Sequence, residues 1–300
     1  MQLAKKVFIV SALFSTSVFA ESATRSVVDG LSLSVGADYS TGKYGSNEST
    51  DVYFMPFAAS YNTGKFTYKL TIPYIRVTGP GDVIPGGLGG TGGSSSGAGA
   101  FGCPGDNRKG ATKPADSGPC AGITPATPGA PATATQTRST ESGLGDIVAA
   151  ATYNVLDDAA AGFYADVTGR IKFPTASDSK GLGSGKTDFA VSGYVEKNFG
   201  APFVSLGLGY KWLGEPAGVS YKNVTFGSLG AGYKFSKTTT VDFSYDWATA
   251  AVSGAKRPQE ISANVSHWIN DQYKLSGIIY TGLSDANADV GGGMTLGYYF

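Results

Sequence analysis

The stretch Val290-Gly-Gly-Gly-Met-Thr-Leu-Gly-Tyr-Tyr-Phe300 closes the chain and alternates between two kinds of side chain. Successive residues of an extended strand point to opposite faces. One face therefore carries Met294, Leu296, Tyr298 and Phe300, whereas the other face is mostly glycine. A soluble domain seldom ends on so apolar a strand face, so the surroundings of this strand decide the fold class.

The composition favours many short strands joined by tight turns. Of the 300 residues, 44 are glycine, 17 are tyrosine and 16 are phenylalanine, while only 15% are charged. Aromatic residues suit strands and glycine suits turns. The formal net charge is zero, so the charge pattern gives no reason to expect a nucleic-acid partner.

The first twenty residues have the three parts of a secretory signal. A basic start, Met1-Gln-Leu-Ala-Lys-Lys6, precedes a mostly apolar run that ends Val18-Phe19-Ala20. The run is too short for a membrane-spanning helix, which needs about 20 apolar residues. We therefore expect residues 1–20 to be a signal peptide and residues 21–300 to be the exported chain.

The exported chain alternates between apolar and polar residues in one short segment after another. In the clearest segment, Leu31, Leu33 and Val35 face one way, with serine and glycine opposite. About twelve such segments are present, near residues 30–40, 50–61, 64–77, 143–156, 160–173, 186–199, 202–213, 222–235, 238–250, 257–269, 271–283 and 288–300.

The connections between these segments are uneven, because every second one is very short. Short turns at one rim and longer loops at the other are typical of outer-membrane barrels, with the turns in the periplasm. A closed barrel also leaves no unpaired backbone in lipid. We therefore predict an all-β fold: a single antiparallel transmembrane β-barrel of about twelve strands whose outer face meets the lipid of the outer membrane.

Aromatic residues recur towards the ends of the predicted lipid-facing strand faces. Barrels of this type carry aromatic girdles at both membrane interfaces. The candidates for the loop-side girdle are Tyr39, Tyr74, Trp212 and Trp247, and those for the turn-side girdle are Phe199, Phe235, Tyr273 and Phe300.

Residues 78–142 differ from the rest of the chain. This segment is rich in glycine, proline, serine and alanine, and it holds few large apolar residues that could form a core. We expect a long extracellular loop. Its two cysteines, Cys103 and Cys120, would meet an oxidising compartment after export and are predicted to form a disulfide.

The strand faces opposite the apolar ones would line the lumen. The candidate lumen-lining residues are Lys65, Lys69, Asp166, Arg170, Lys172, Asp188, Asp242 and Asp246. Their mixed signs argue against a strongly ion-selective pore. Inward glycines on several strands are predicted to leave empty volume, although about twelve strands imply a narrow pore at most.

We expect neither catalysis nor a cofactor. The chain has one histidine, His267, and its same-face neighbours Val265 and Ile269 are apolar, whereas Ser266 points the other way. A histidine and a serine must converge on one face for nucleophilic catalysis. Asp242 and Asp246 could suggest acid–base work or a calcium site, but without a third ligand pattern they are more simply lumen charges.

Three features resemble known outer-membrane proteins. The terminal strand looks like the last strand of bacterial outer-membrane barrels, which implies that Tyr298 and Phe300 are read by the assembly machinery. Ser142-Gly-Leu-Gly-Asp-Ile147 and the stretch from Lys172-Phe-Pro-Thr175 to Gly181-Leu-Gly-Ser-Gly-Lys-Thr-Asp-Phe189 resemble the "meta-pathway of phenol degradation" barrels. This second resemblance implies passive uptake of small hydrophobic or aromatic solutes through the outer membrane of a Gram-negative cell.

A second function stays open at this point. The long loop 78–142 does not belong to the family pattern, and it could bind a partner or shield the cell on a barrel that transports nothing. The sequence alone leaves the choice between a channel and such a surface barrel undecided.

Overall fold

A computed structural model of the protein describes residues 29–44, 48–79, 138–215, 221–253 and 255–300. These residues form strands only, and among them no helix is long and apolar enough to cross a membrane. The strands are β1 Gly30–Gly42, β2 Thr50–Thr63, β3 Phe66–Gly79, β4 Ser139–Leu144, β5 Ile147–Asp158, β6 Phe163–Phe173, β7 Asp188–Asn198, β8 Pro202–Trp212, β9 Val224–Lys234, β10 Thr239–Ala248, β11 Gln259–Trp268, β12 Tyr273–Gly282 and β13 Val290–Tyr299.

The strands close into one antiparallel barrel. Each of β5 to β13 pairs with its sequence neighbour, β13 pairs with β1, and β1, β2 and β3 continue the ring. Strand β3 pairs with β5 along its first half and with β4 along its second half, so β4 and β5 are two segments of a single wall strand. The wall therefore has twelve strands, which confirms the predicted fold class.

The alternation of short and long connections divides the barrel into two rims. One rim, called here the turn side, carries the connections 64–65, 159–162, 199–201, 235–238 and 269–272, together with both ends of the wall. The other rim, the loop side, carries the longer connections. The longest of these begins after Gly79 and ends before Ser139, so the predicted loop 78–142 is shorter by a few residues at each end.

The outer face of the barrel is apolar and exposed. Leu33 is 44% exposed, Phe57 49% and Leu206 48%, although all three lie in the middle of strands. Large apolar side chains on the outside of a closed sheet are stable only in lipid. The outward aromatic residues pair towards the rims, as in Tyr210–Trp212 with ring centroids 4.9 Å apart and Tyr233–Phe235 with centroids 5.0 Å apart.

Three of the inward glycines make room for aromatic rings, so these positions do not leave the empty volume predicted from the sequence. A Cβ added at Gly209 would collide with the ring of Phe226, and one added at Gly232 would collide with the ring of Phe203. Tyr280 covers Gly291 in the same way. Each ring reaches over a glycine on the neighbouring strand, so the space beside these three glycines is filled.

We expect Gly232→Val to destabilise the barrel, because the new side chain would force the 2%-exposed ring of Phe203 out of place. Overpacking of this kind costs about 1–3 kcal/mol. Urea titration of the protein folded in lipid vesicles measures the loss. Gly169→Val is the control for introducing valine into a strand, since Gly169 faces outward and nothing lies within 4 Å of a Cβ at that position. Equal stability of the two variants would show that the ring does not need the glycine.

Candidate functional site

The inner wall carries seven of the eight predicted lumen residues. Lys69, Asp166, Arg170, Lys172, Asp188, Asp242 and Asp246 lie on strand faces that point inward and are buried or half-buried. Lys65 differs from them, because it lies exposed in the turn before β3 with its Nζ atom 5.9 Å from the centroid of the Tyr153 ring. Tyr153 pairs with the outward-facing Phe66, so the structure places Lys65 at the turn-side rim and not on the inner wall.

Lys172 lies at the centre of a buried polar cluster near the loop side. Its Nζ atom is 3.0 Å from Oδ2 of Asp146 and 2.8 Å from Oδ2 of Asp188, and it donates a 2.8 Å hydrogen bond to Oγ of Ser184. The Lys172 side chain is 1% exposed. The two aspartates also accept backbone N–H groups, Asp146 from Ala176 and Asp188 from Gly214. Lys172 and its two aspartates therefore link the wall to the connections that contain Ala176 and Gly214.

The connection 174–187, called here the inner loop, folds back over the inner face of the barrel. Ala176 and Leu182 of this loop pack against Val52 of β2 and Ile75 of β3, and all four are buried. The loop leaves the wall after β6 and reaches the inward side of β2 and β3, so it narrows the loop-side opening. The Lys172 cluster is its polar attachment, and Leu182 is its apolar attachment.

Two further apolar clusters line the loop side. One joins Tyr44, Ile278, Tyr280 and Ala288, and the other joins Val224, Phe226, Ala248 and Ala251. Burial, with help from nearby carboxylates that include Glu260, raises the pKa of Tyr44 above its ordinary value, so its hydroxyl stays protonated. Together with the inner loop, these clusters place buried apolar side chains at the loop-side end of the barrel.

Most inward carboxylates are enclosed. Asp38 is 3% exposed and accepts a 2.8 Å hydrogen bond from the Tyr280 hydroxyl. Asp246 is 2% exposed and accepts a 2.8 Å hydrogen bond from Ser244. Asp242 is more open and accepts a 3.0 Å hydrogen bond from the Asn264 amide. Within the described ranges, no group of three or more His, Cys, Asp or Glu side chains is placed to hold a metal ion.

A second polar network lies at the turn side. Glu196 is 1% exposed, accepts a 2.9 Å hydrogen bond from the Tyr194 hydroxyl and lies 3.6 Å from Nζ of Lys234. Lys234 also donates to Oδ1 of Asn198. The inward rings of Trp268 and Tyr299 pack at 4.7 Å between centroids at the same rim.

The cations Lys69, Arg170 and Lys211 lie on the inner wall between the two rims, and all three are half-buried. Arg170 donates a 2.9 Å hydrogen bond to Oγ of Ser192. The Nζ atom of Lys211 lies 5.0 Å from the centroid of the Phe226 ring. Alternation within single strands is the sequence signal that places these cations on the inner face.

The remaining predicted residues lie at the outside of the barrel or beyond the described ranges. His267 faces outward with its Nδ1 atom 2.9 Å from Oγ1 of Thr239, and Ser266 points inward, so the two side chains do not converge. Tyr298 and Phe300 face outward at the turn side with ring centroids 4.7 Å apart. The predicted signal peptide and the cysteines Cys103 and Cys120 fall outside the described residues.

The two internal stretches that carry the family resemblance come together in space. Asp146 belongs to the first stretch, Lys172 begins the second, and Leu182 and Ser184 follow in the second. The structure joins them in the Lys172 cluster and the inner loop. Two short motifs that are far apart in the sequence thus build one attachment of the inner loop to the wall.

No protein-family model matches the chain, and no curated protein sequence matches it. Among solved structures, an outer-membrane channel of Pseudomonas putida F1 is similar with a TM-score of 0.56 at 11% identity, covering 92% of this chain and 97% of the channel. The transport unit of the autotransporter AIDA-I of Escherichia coli is similar with a TM-score of 0.50 at 12% identity, covering 90% of each chain. These similarities show that the fold is that of outer-membrane β-barrels.

Proposed function

We propose that the protein is an outer-membrane channel for the passive uptake of small organic solutes, aromatic ones among them. The observation that carries this proposal is the combination of a lipid-facing outer wall with an inner wall of hydroxyl, amide and charged groups. A polar interior inside a closed apolar barrel is the arrangement of water-filled channels.

The shape of the loop-side opening supports small organic solutes. The inner loop and the buried apolar clusters around Tyr44 and Phe226 occupy part of this opening. A wall of twelve strands that is narrowed in this way admits only small solutes. The similarity to a channel of Pseudomonas putida F1 agrees with a transport role.

Export and assembly form part of the proposal. The signal in residues 1–20 would direct the chain out of the cytoplasm, and the terminal strand with Tyr298 and Phe300 would be recognised by the barrel assembly machinery. The position of Phe300 supports this recognition, because the residue lies at the turn side and is 64% exposed. In the loop beyond Gly79, a disulfide between Cys103 and Cys120 would form after export.

Solute flux into proteoliposomes tests the proposal. Purified protein reconstituted into lipid vesicles should admit small sugars and organic acids faster than protein-free vesicles do, while solutes of several hundred daltons should be excluded. Vesicle swelling followed by light scattering measures the rate. Swelling no faster than that of empty vesicles for every small solute would contradict a channel.

A further inference from the structure

Three inward cations are aligned along a single row of the barrel wall. Lys69 of β3 lies opposite Ala150 of β5, and Ala150 lies opposite Arg170 of β6. Arg170 lies opposite Ala190 of β7, and Ala190 lies opposite Lys211 of β8. The row therefore alternates cation and alanine over five neighbouring strands. We call Lys69, Arg170 and Lys211 the basic row.

The basic row runs obliquely from one rim towards the other. Lys69 is three residues from the turn-side end of β3, Arg170 is three residues from the loop-side end of β6, and Lys211 is one residue from the loop-side end of β8. Barrel strands tilt by about 40° and lie about 4.8 Å apart. Two cations that are separated by two strands along the row are therefore offset by roughly 6 Å along the barrel axis. The cations are thus staggered along the direction of transport.

Small side chains separate the cations of the row. Ala150 stands between Lys69 and Arg170, and the buried Ala190 stands between Arg170 and Lys211, so no large side chain of the row lies between the cationic ones. Arg170, Lys211 and Lys69 are half-buried, whereas Lys172, on the same strand as Arg170, is fully enclosed with its two aspartates. The row borders the lumen and is not part of the Lys172 cluster.

The accessible charge of the inner wall is mainly positive. Four inward cations are half-buried, and they are Lys69, Arg170, Lys211 and Lys274, whereas the Lys234 side chain is 9% exposed and pairs with Glu196. The half-buried inward carboxylates on the strands are Asp166, Asp242 and Glu141, the last at the loop-side end of the wall. The other inward carboxylates, such as Asp38, Asp246 and Glu260, are buried. A solute inside the barrel meets more positive than negative groups.

We propose that the basic row is a binding path for small organic anions, which pass from Lys211 to Arg170 to Lys69. This inference rests on the proposed channel function and names carboxylates as the solute class. Arg170 is the central site, because a guanidinium can bind a carboxylate through two parallel hydrogen bonds. An aromatic carboxylate joins this charge to the aromatic solutes of the proposed function and is the probe used here.

Reversal potentials in a potassium benzoate gradient at pH 8 test the path in planar bilayers. The Lys69→Gln, Arg170→Gln, Lys211→Gln triple variant should lower the benzoate-to-potassium permeability ratio at least threefold. Single Arg170→Gln should lower it more than Lys274→Gln, which removes one inward cation outside the row, near the Trp268 ring. An equal effect of these two single variants, or an unchanged ratio in the triple variant, would overturn the path.

Binding measured without transport separates this inference from the channel proposal. Benzoate binding to the detergent-solubilised protein is followed by saturation-transfer NMR, with folding of each variant checked by its circular dichroism. Binding that is present in the wild type and lost in the triple variant supports the basic row even if no current is found. The absence of current would contradict only the proposed channel function. Binding that persists in the triple variant, or that is absent from the wild type, contradicts the basic row.

Discussion

Lys172→Met should lower the free energy of unfolding by about 3–5 kcal/mol, the usual cost of leaving buried partner charges unpaired. The substitution keeps most of the side-chain volume but removes the charge that lies between Asp146 and Asp188. Both carboxylates are buried, so water cannot easily replace the ammonium group. Urea unfolding of the protein in lipid vesicles measures the change.

The same variant should also release the inner loop. Cleavage of residues 174–187 by a protease added to folded protein should become faster in Lys172→Met, because the loop loses its polar attachment. Lys180→Ala is the matched control, since Lys180 is exposed on the same loop. Adding Asp146→Asn and Asp188→Asn to Lys172→Met should restore part of the lost stability. Wild-type stability and wild-type cleavage in Lys172→Met would show that the cluster is not a structural attachment.

Phe300→Ala should reduce the amount of barrel in the outer membrane about tenfold, while the purified variant refolds with little extra loss of stability. The Phe300 ring faces outward, and the fold uses this residue chiefly through its backbone N–H, which donates to the Leu31 carbonyl at 3.1 Å. The side chain is thus available for recognition during assembly. Immunoblots of membrane fractions and urea unfolding of refolded protein measure the two effects.

Phe235→Ala provides a closely matched control for Phe300→Ala. Phe235 is 66% exposed against 64% for Phe300, and it meets Tyr233 edge-on at 5.0 Å as Phe300 meets Tyr298 edge-on at 4.7 Å. Both variants lose the same kind of lipid-facing ring, but only one is at the chain terminus. Equal membrane levels of the two variants would argue against a terminal recognition signal.

The fold could be predicted because it depends on regularities within single strands. Alternation sets which side chains meet lipid, and Leu31, Leu33 and Val35 are exposed on the outside as expected. Turn length sets which strands are neighbours, so the order of the barrel follows from the chain order. Each predicted strand overlaps an observed one, and the main difference is the earlier start of the wall at Ser139.

The filling of the interior could not be predicted in the same way. It depends on register between strands, which a single sequence does not specify. The inward glycines were predicted to leave space, but the register between β8 and β9 brings the Phe203 ring over Gly232. The alignment of Lys69, Arg170 and Lys211 likewise appears only once Ala150 and Ala190 are paired with them. Lys65 was misplaced because alternation was extended past the strand into the turn.

Single-channel recording of the purified protein in planar lipid bilayers tests the central claim most directly. A barrel with a polar, half-accessible inner wall and an apolar outer wall should insert and give small, discrete conductance steps in simple salt solutions. In Lys172→Met the inner loop loses its polar attachment, so the conductance steps of this variant should be larger or noisier than those of the wild type. Stable insertion of folded protein without any conductance step, in the wild type and in Lys172→Met alike, would contradict the account.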